Sequence, residues 1–145
     1  AGSEASGAGA AREDLFDGAA WAVIGEDGEP MTRVMDFVRL LGAEPVRMGA
    51  EAHDRHVARV SHLPQLLSCA LAKVAGGVDG PFGGGPGLAS MTRLADSSWS
   101  IWRDIIEANA DAIEPPLDEL IEVLTRIRET LARGESPELA SLFNK

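Results

Sequence analysis

A single cysteine, Cys69, rules out any intrachain disulfide, and its apolar neighbours predict a buried, inert thiol. Basic charge is scarce: 13 Lys and Arg stand against 23 Asp and Glu, a formal net charge of −10. Phosphate contacts need a basic patch, so nucleic acid is a disfavoured partner. The same field works weakly against a small anionic substrate, although one local arginine can outweigh it. No apolar run approaches a membrane span and no signal-peptide pattern opens the chain, so no membrane partner and a cytoplasmic location are the default expectations. Several catalytic signatures are missing as well. There is no HExxH, and His62 lies six residues beyond His56, about a third of a helical turn or more off the His53/His56 face, so no metal centre is expected. Ser61 and His62 are adjacent and would diverge by about 100° on a helix, and no GxSxG elbow exposes a nucleophile.

What remains is ordinary globular material. The chain has 145 residues, 45% hydrophobic and 25% charged, within the range of one domain and without an internal repeat. Residues 1–20, rich in Ala, Gly and acid, read as a loop or mobile end. Trp21-Ala22-Val23-Ile24 predicts a short strand ended by Gly25, Asp27-Gly28 and Pro30. Thr32 is the expected cap of a helix through Leu41, with Val34, Val38 and Leu41 on one face and Gly42 ending it. Glu44 to Met48 form a second strand, giving a βαβ-like unit that cannot make a stable sheet alone. Residues 1–49 are therefore expected to be the trailing part of a larger α/β domain, and residues 50–145 an all-helical domain.

The central stretch runs from Gly49 to Gly76. Asp54, Ala58, Ser61 and Gln65 follow at spacings of four, three and four, which places them along one face of a helix. Val57, Val60, Leu67, Ala70, Leu71 and Val74 supply apolar surface elsewhere, so the helix is expected to be buried on most sides. Pro64 removes a backbone donor and crowds the Val60 carbonyl, which predicts a kink. The run from Gly76 to Gly87 is too glycine-rich for helix or strand and lacks the Lys-Ser/Thr of a P-loop. Residues 88–95 form a turn or short helix leading to Arg93. Ser97 or Ser98 caps a helix carrying Trp102, Asn109 and Ile113, which Pro115-Pro116 is expected to stop. Leu117, Leu120, Ile121, Leu124, Ile127 and Leu131 make an apolar stripe ended by Gly134, and Ser136-Pro137-Glu138 caps a last short helix with Leu139, Leu142 and Phe143.

A series of short motifs stands in one order: Ser3-Glu4, Asp14-Leu15-Phe16 before Trp21, His53-Asp54, Ser61-His62-Leu63-Pro64, Met91-Thr92-Arg93-Leu94-Ala95, then Trp102-Arg103-Asp104-Ile105 and Asn109. It resembles the prephenate/arogenate dehydrogenase family of tyrosine biosynthesis over roughly residues 1–113. The resemblance implies an NAD(P)-dependent oxidative decarboxylation of prephenate to 4-hydroxyphenylpyruvate, or of arogenate. It also implies a Rossmann domain ahead of a helical dimerisation domain, and a homodimer. Arg93 would grip a substrate carboxylate in a two-pronged hydrogen bond. Gln65 and Ser61 would also hold substrate, Ser3 and Glu4 would line the site from the nucleotide side, and Asp54, His62 and Trp102 would support it.

Departures from the family pattern matter equally. The family's catalytic histidine precedes the Ser3-Glu4 segment in a His-Pro pair, so no catalytic residue is expected in this chain. The glycine-rich nucleotide loop and its acidic ribose partner are missing too, so no cofactor binding or activity is expected of these residues alone. Many members read His-Leu-Pro-His where Gln65 closes the motif here, and an acid where Ser90 stands. Gln65 can donate a hydrogen bond but cannot be cationic, which leaves prephenate and arogenate both open. The alternative is a non-catalytic helical dimerisation or binding module.

Overall fold

A computed structural model describes residues 9, 11–76, 84–134 and 139–141. Ser3, Glu4, most of the glycine-rich run, the Ser136-Pro137-Glu138 cap, Leu142 and Phe143 lie outside the described residues. The chain is mainly helical, preceded by a small parallel sheet, as the sequence predicts. It divides into two compact units, Ala1–Asp54 and Arg55–Lys145. Among the described residues no helix is long and apolar enough to cross a membrane.

The first unit holds strand β1 (Ala20–Val23), helix α1 (Glu29–Leu40) and strand β2 (Glu44–Arg47). β1 and β2 pair in parallel, with Trp21 opposite Pro45 and Val23 opposite Arg47. Glu44 N–H donates to Ala19 O and Met48 N–H to Val23 O. Even-numbered positions of β2 thus face β1, and the N–H that Pro45 lacks falls on the far side, where no ladder bond is lost. Val23, Met31, Val38 and Ala43 make the core, with Phe16, Trp21 and Met35 packed against it. α1 starts earlier than expected, with Pro30 in its first turn, where a missing N–H costs nothing; Thr32 lies inside the helix. Its inward face is Met31, Met35 and Val38, while Val34 is exposed. Gly42 ends it in the left-handed region at φ +81°, with Gly42 N–H on Arg39 O and Ala43 N–H on Val38 O. That pair of bonds is a Schellman closure, and its partners Val38 and Ala43 are both buried in the core.

In the second unit the predicted long helix is observed in three pieces. Helix α2 (Ala50–Val57) begins in the first unit and runs into a π-helical segment, Ala58–His62, then helix α3 (Leu63–Ala75). Helix α4 (Gly85–Thr92) and a 3-10 turn (Arg93–Asp96) follow. Gly85 and Gly87, expected in a loop, are helical; Pro86 sits in the first turn and supplies a fixed φ. Helix α5 (Trp99–Ala108) is capped by Ser98, whose Oγ accepts from Ser100 N–H. The break then comes at Asn109 rather than at Pro115-Pro116, and helix α6 (Ala110–Arg133) carries both prolines inside it. Asn109 O takes the N–H groups of Ala112 and Ile113 and so starts the new helix before the prolines are reached. Gly134, at φ +72°, ends α6 as predicted.

The central helix is not buried on most sides. Val60, Ala70 and Val74 are exposed, because within the described residues only one side of α3 is covered. Cys69 is exposed for the same reason, correcting the expectation of a buried thiol.

Candidate functional site

The site is built on the buried line of the central helix. In the π segment Leu63 N–H reaches back five residues to Ala58 O. Pro64 has no N–H for Val60 O, and a widened turn accommodates its ring. Each π turn inserts one extra residue, so the inward line moves on by one position. It runs Ala58, His62, Gln65, Ser68, and Ser61 is exposed. This corrects the expected face, which had Ser61 in the place His62 takes.

His62 is anchored from α5. Its Nδ1 lies 3.1 Å from Asn109 Nδ2, and its ring meets Trp102 edge-on, with centroids 5.9 Å apart at 87°. With the amide so oriented it donates, Nδ1 accepts, and the proton of the neutral ring sits on Nε2. The expected supporting residues His62 and Trp102 are therefore together, and Asn109 joins them.

Gln65 and Ser68 are 4% and 2% exposed. Gln65 Nε2 donates to Leu94 O at 2.8 Å, with Cys69 Sγ at 3.5 Å. Ala95 N–H donates to Ser68 Oγ at 3.1 Å. The donor capacity of Gln65 expected for substrate is thus directed at the turn that Arg93 opens. Arg93 itself is exposed, next to Thr92, whose Oγ1 donates to Leu88 O at 2.9 Å. Asp54 belongs to the other compact unit, where its Oδ1 lies 3.0 Å from His53 Nδ1. Ser68 was not singled out from sequence. The available signal was a lone hydroxyl three residues after Gln65 within the apolar run Leu66 to Ala72.

Arg59, on the π segment, forks onto Glu119 of α6: Nη1 donates to Oε2 at 2.8 Å and Nη2 to Oε1 at 2.5 Å. The hydrogen bonds from Arg59 hold the Glu119 carboxyl below its ordinary value. Because the folded value lies below the unfolded one, this contribution is present above the ordinary carboxylate range and is lost as pH falls through the lowered value. The pair is exposed, so its effect is small and screened by salt. Glu119→Gln is accordingly expected to lower Tm slightly at neutral pH and low salt. In melting curves the difference should close as pH falls below the ordinary carboxylate range, and in high salt; a gap that persists in strong acid would mean another contact is responsible.

Comparison with known proteins accounts for most of the chain. The family model described as the prephenate dehydrogenase dimerization domain matches residues 49–145. The probable prephenate dehydrogenase NovF of Streptomyces niveus is 34% identical over 87% of this chain and 36% of its own length. The prephenate dehydrogenase of Bacillus subtilis (strain 168) is 30% identical over 99% of this chain and 41% of its own. The chain thus spans well under half the length of these relatives. Among solved structures, Synechocystis arogenate dehydrogenase superposes with a TM-score of 0.80 over 98% of this chain and 55% of its own. Prephenate dehydrogenase from A. aeolicus, in complex with hydroxyphenyl propionate and NAD+, gives 0.83 over 98% and 52%. Both are 24% identical, a likeness that shows the fold. On the match over residues 49–145 and the identity to relatives, the chain belongs to the prephenate dehydrogenase family, whose members are dehydrogenases.

Proposed function

We propose that this chain is the helical dimerisation and substrate-binding part of a dehydrogenase that oxidatively decarboxylates prephenate, or arogenate, in tyrosine biosynthesis. The observation that carries the reading is the match of residues 49–145 to the family's dimerisation domain. On this reading residues 1–49 are the end of the nucleotide-binding domain and residues 50–145 the helical domain. Arg93 takes the substrate carboxylate, Ser61 adds an exposed hydroxyl one position before the buried His62, and His62 and Trp102 brace the wall. The family resemblance also assigns Ser3 and Glu4, which lie outside the described residues, to substrate binding.

The nicotinamide cofactor, NAD or NADP, is held by other residues of the complete enzyme. The turn between β1 and α1 reads Ile24-Gly25-Glu26-Asp27-Gly28, and its acids stand where a pyrophosphate would need backbone N–H groups and positive charge. Asp27 is already paired with Arg47. These residues do not fit a dinucleotide, and no step of the reaction is assigned to them.

The test is turnover by the complete protein with each substrate and each cofactor. Appearance of reduced nicotinamide together with carbon dioxide is expected for at least one combination, and none for the isolated 145 residues. Inertness of the complete protein toward both substrates would overturn the reading in favour of a dimerisation module without chemistry. Robust turnover by the isolated chain would overturn the division of labour.

A further inference from the structure

We propose that Gln65 and Ser68 form a two-point latch on the peptide group between Leu94 and Ala95, and that this latch holds Arg93 in its binding position. The proposal rests on the reading of Arg93 as the carboxylate anchor. Gln65 and Ser68 are positioning residues in it, not substrate ligands.

The geometry is specific. Leu94 O and Ala95 N–H are the two poles of one peptide plane. Gln65 Nε2 grips the oxygen at 2.8 Å and Ser68 Oγ receives the N–H at 3.1 Å. Ser97 N–H also donates to Leu94 O, at 3.1 Å, so both lone pairs of that carbonyl are used. A carbonyl only accepts, which fixes the Gln65 amide with its nitrogen toward the turn. Gln65 and Ser68 are almost wholly buried and one helical step apart on α3, so water is poorly placed to replace either bond. Fixing this plane sets ψ of Leu94 and φ of Ala95, one residue from the Arg93 Cα. On the other side, the Thr92 hydroxyl bond to Leu88 O closes the end of α4. A turn of only four residues, Arg93–Asp96, has little hydrogen bonding of its own to hold its shape. A long guanidinium arm on a loose turn would lose freedom on binding; pinning the turn beforehand removes part of that cost.

The experiment is a double-mutant cycle in the complete dehydrogenase, reading KM and kcat for Gln65→Glu, Ser68→Ala and Arg93→Gln alone and in combination. Gln65→Glu keeps the shape but sets a carboxylate against Leu94 O; Ser68→Ala removes one hydroxyl and so tests the latch even where the first change impairs folding. Each is expected to raise KM about five- to tenfold with kcat little changed. In the Arg93→Gln background the same changes are expected to shift KM less than about twofold, because the group they position has gone. Hydrogen exchange at the Ala95 amide should quicken in Ser68→Ala. Equal KM effects with and without Arg93 would overturn the latch, since Gln65 or Ser68 would then act on substrate or fold directly. Faster Ala95 exchange with unchanged KM would overturn it too, leaving the anchor reading intact if Arg93→Gln alone raises KM. An Arg93→Gln variant with normal KM would bring down the anchor and the latch together.

Discussion

On the proposed function, replacing Arg93 with Gln in the complete protein is expected to raise KM between about tenfold and a hundredfold, with kcat and Tm nearly unchanged. A charged hydrogen bond to a carboxylate contributes about 1.5–3 kcal/mol, which spans that range. Gln keeps one donor but neither the charge nor the fork. The effect should fall on KM where Arg93 holds the side-chain carboxylate, which stays on the product and is held alike in ground and transition states; a grip on the departing ring carboxylate would lower kcat as well. Tm should change little because Arg93 is exposed, and the interactions of an exposed charged side chain contribute at most about 1 kcal/mol. The acidic background sharpens the expectation: with a net charge of −10, an anionic substrate approaches against the general field and depends on local positive charge. Steady-state kinetics beside thermal melts decide it. A variant that melts early but binds substrate normally would make Arg93 part of the scaffold.

What could be read from the sequence follows from where local chemistry dominates. The β1–α1–β2 order, the stop at Gly42 and a serine cap at Ser97 or Ser98 are set by residues within a few positions of themselves; the structure has all three, with Ser98 as the cap. The start of α1 was misplaced because Pro30 is both a turn residue and a good first-turn helix residue, and only the packing of Met31 settles which. Pro115 and Pro116 mislead in the same way. The decisive break falls at Asn109, a residue type common at helix ends, but it forms no side-chain cap bond and two adjacent prolines downstream give the stronger stop signal.

Within the site, the resemblance names Arg93, Gln65, His62 and Trp102; the structure pairs His62 with Trp102 and Asn109 and ties Gln65 to Leu94 O, next to Arg93 in the chain. The exchange of Ser61 for His62 on the inward line was not legible, because it depends on a π turn rather than on a 3.6-residue period. Burial was overestimated throughout for one reason. Counting apolar residues on a helix shows that surface must be covered, not that the same chain covers it. Cys69 and Val74 are exposed on a helix that reads as core.

That uncovered surface leads to the second large effect, a dimer that a single charged substitution dissociates. Among the described residues of the unit Arg55–Lys145, the buried apolar side chains are Ala58, Ile113 and Pro116, too few to hold a helical unit together. Val74 is 84% exposed, and on α6 Ile121, Leu124 and Leu131 are 51%, 49% and 62% exposed along the predicted stripe. Residues 49–145 match a dimerisation domain, and we propose a second copy as the occupant of these exposed apolar side chains. In a two-fold dimer every substitution is felt twice. Covering the exposed half of Leu124 contributes about 1–1.5 kcal/mol per copy, so Leu124→Glu should lose about 2–3 kcal/mol before any cost of burying the carboxylate. Dimer affinity should therefore fall at least about thirtyfold. Sedimentation equilibrium should give twice the 15.3 kDa chain mass for the native sequence and a shift toward single chains for the variant. Added salt should tighten the native dimer, because each copy carries −10 and screening relieves their repulsion. A native chain that sediments only at 15.3 kDa at tens of micromolar would refute the dimer, and one whose association weakens with salt would show that ion pairs hold it rather than this apolar face.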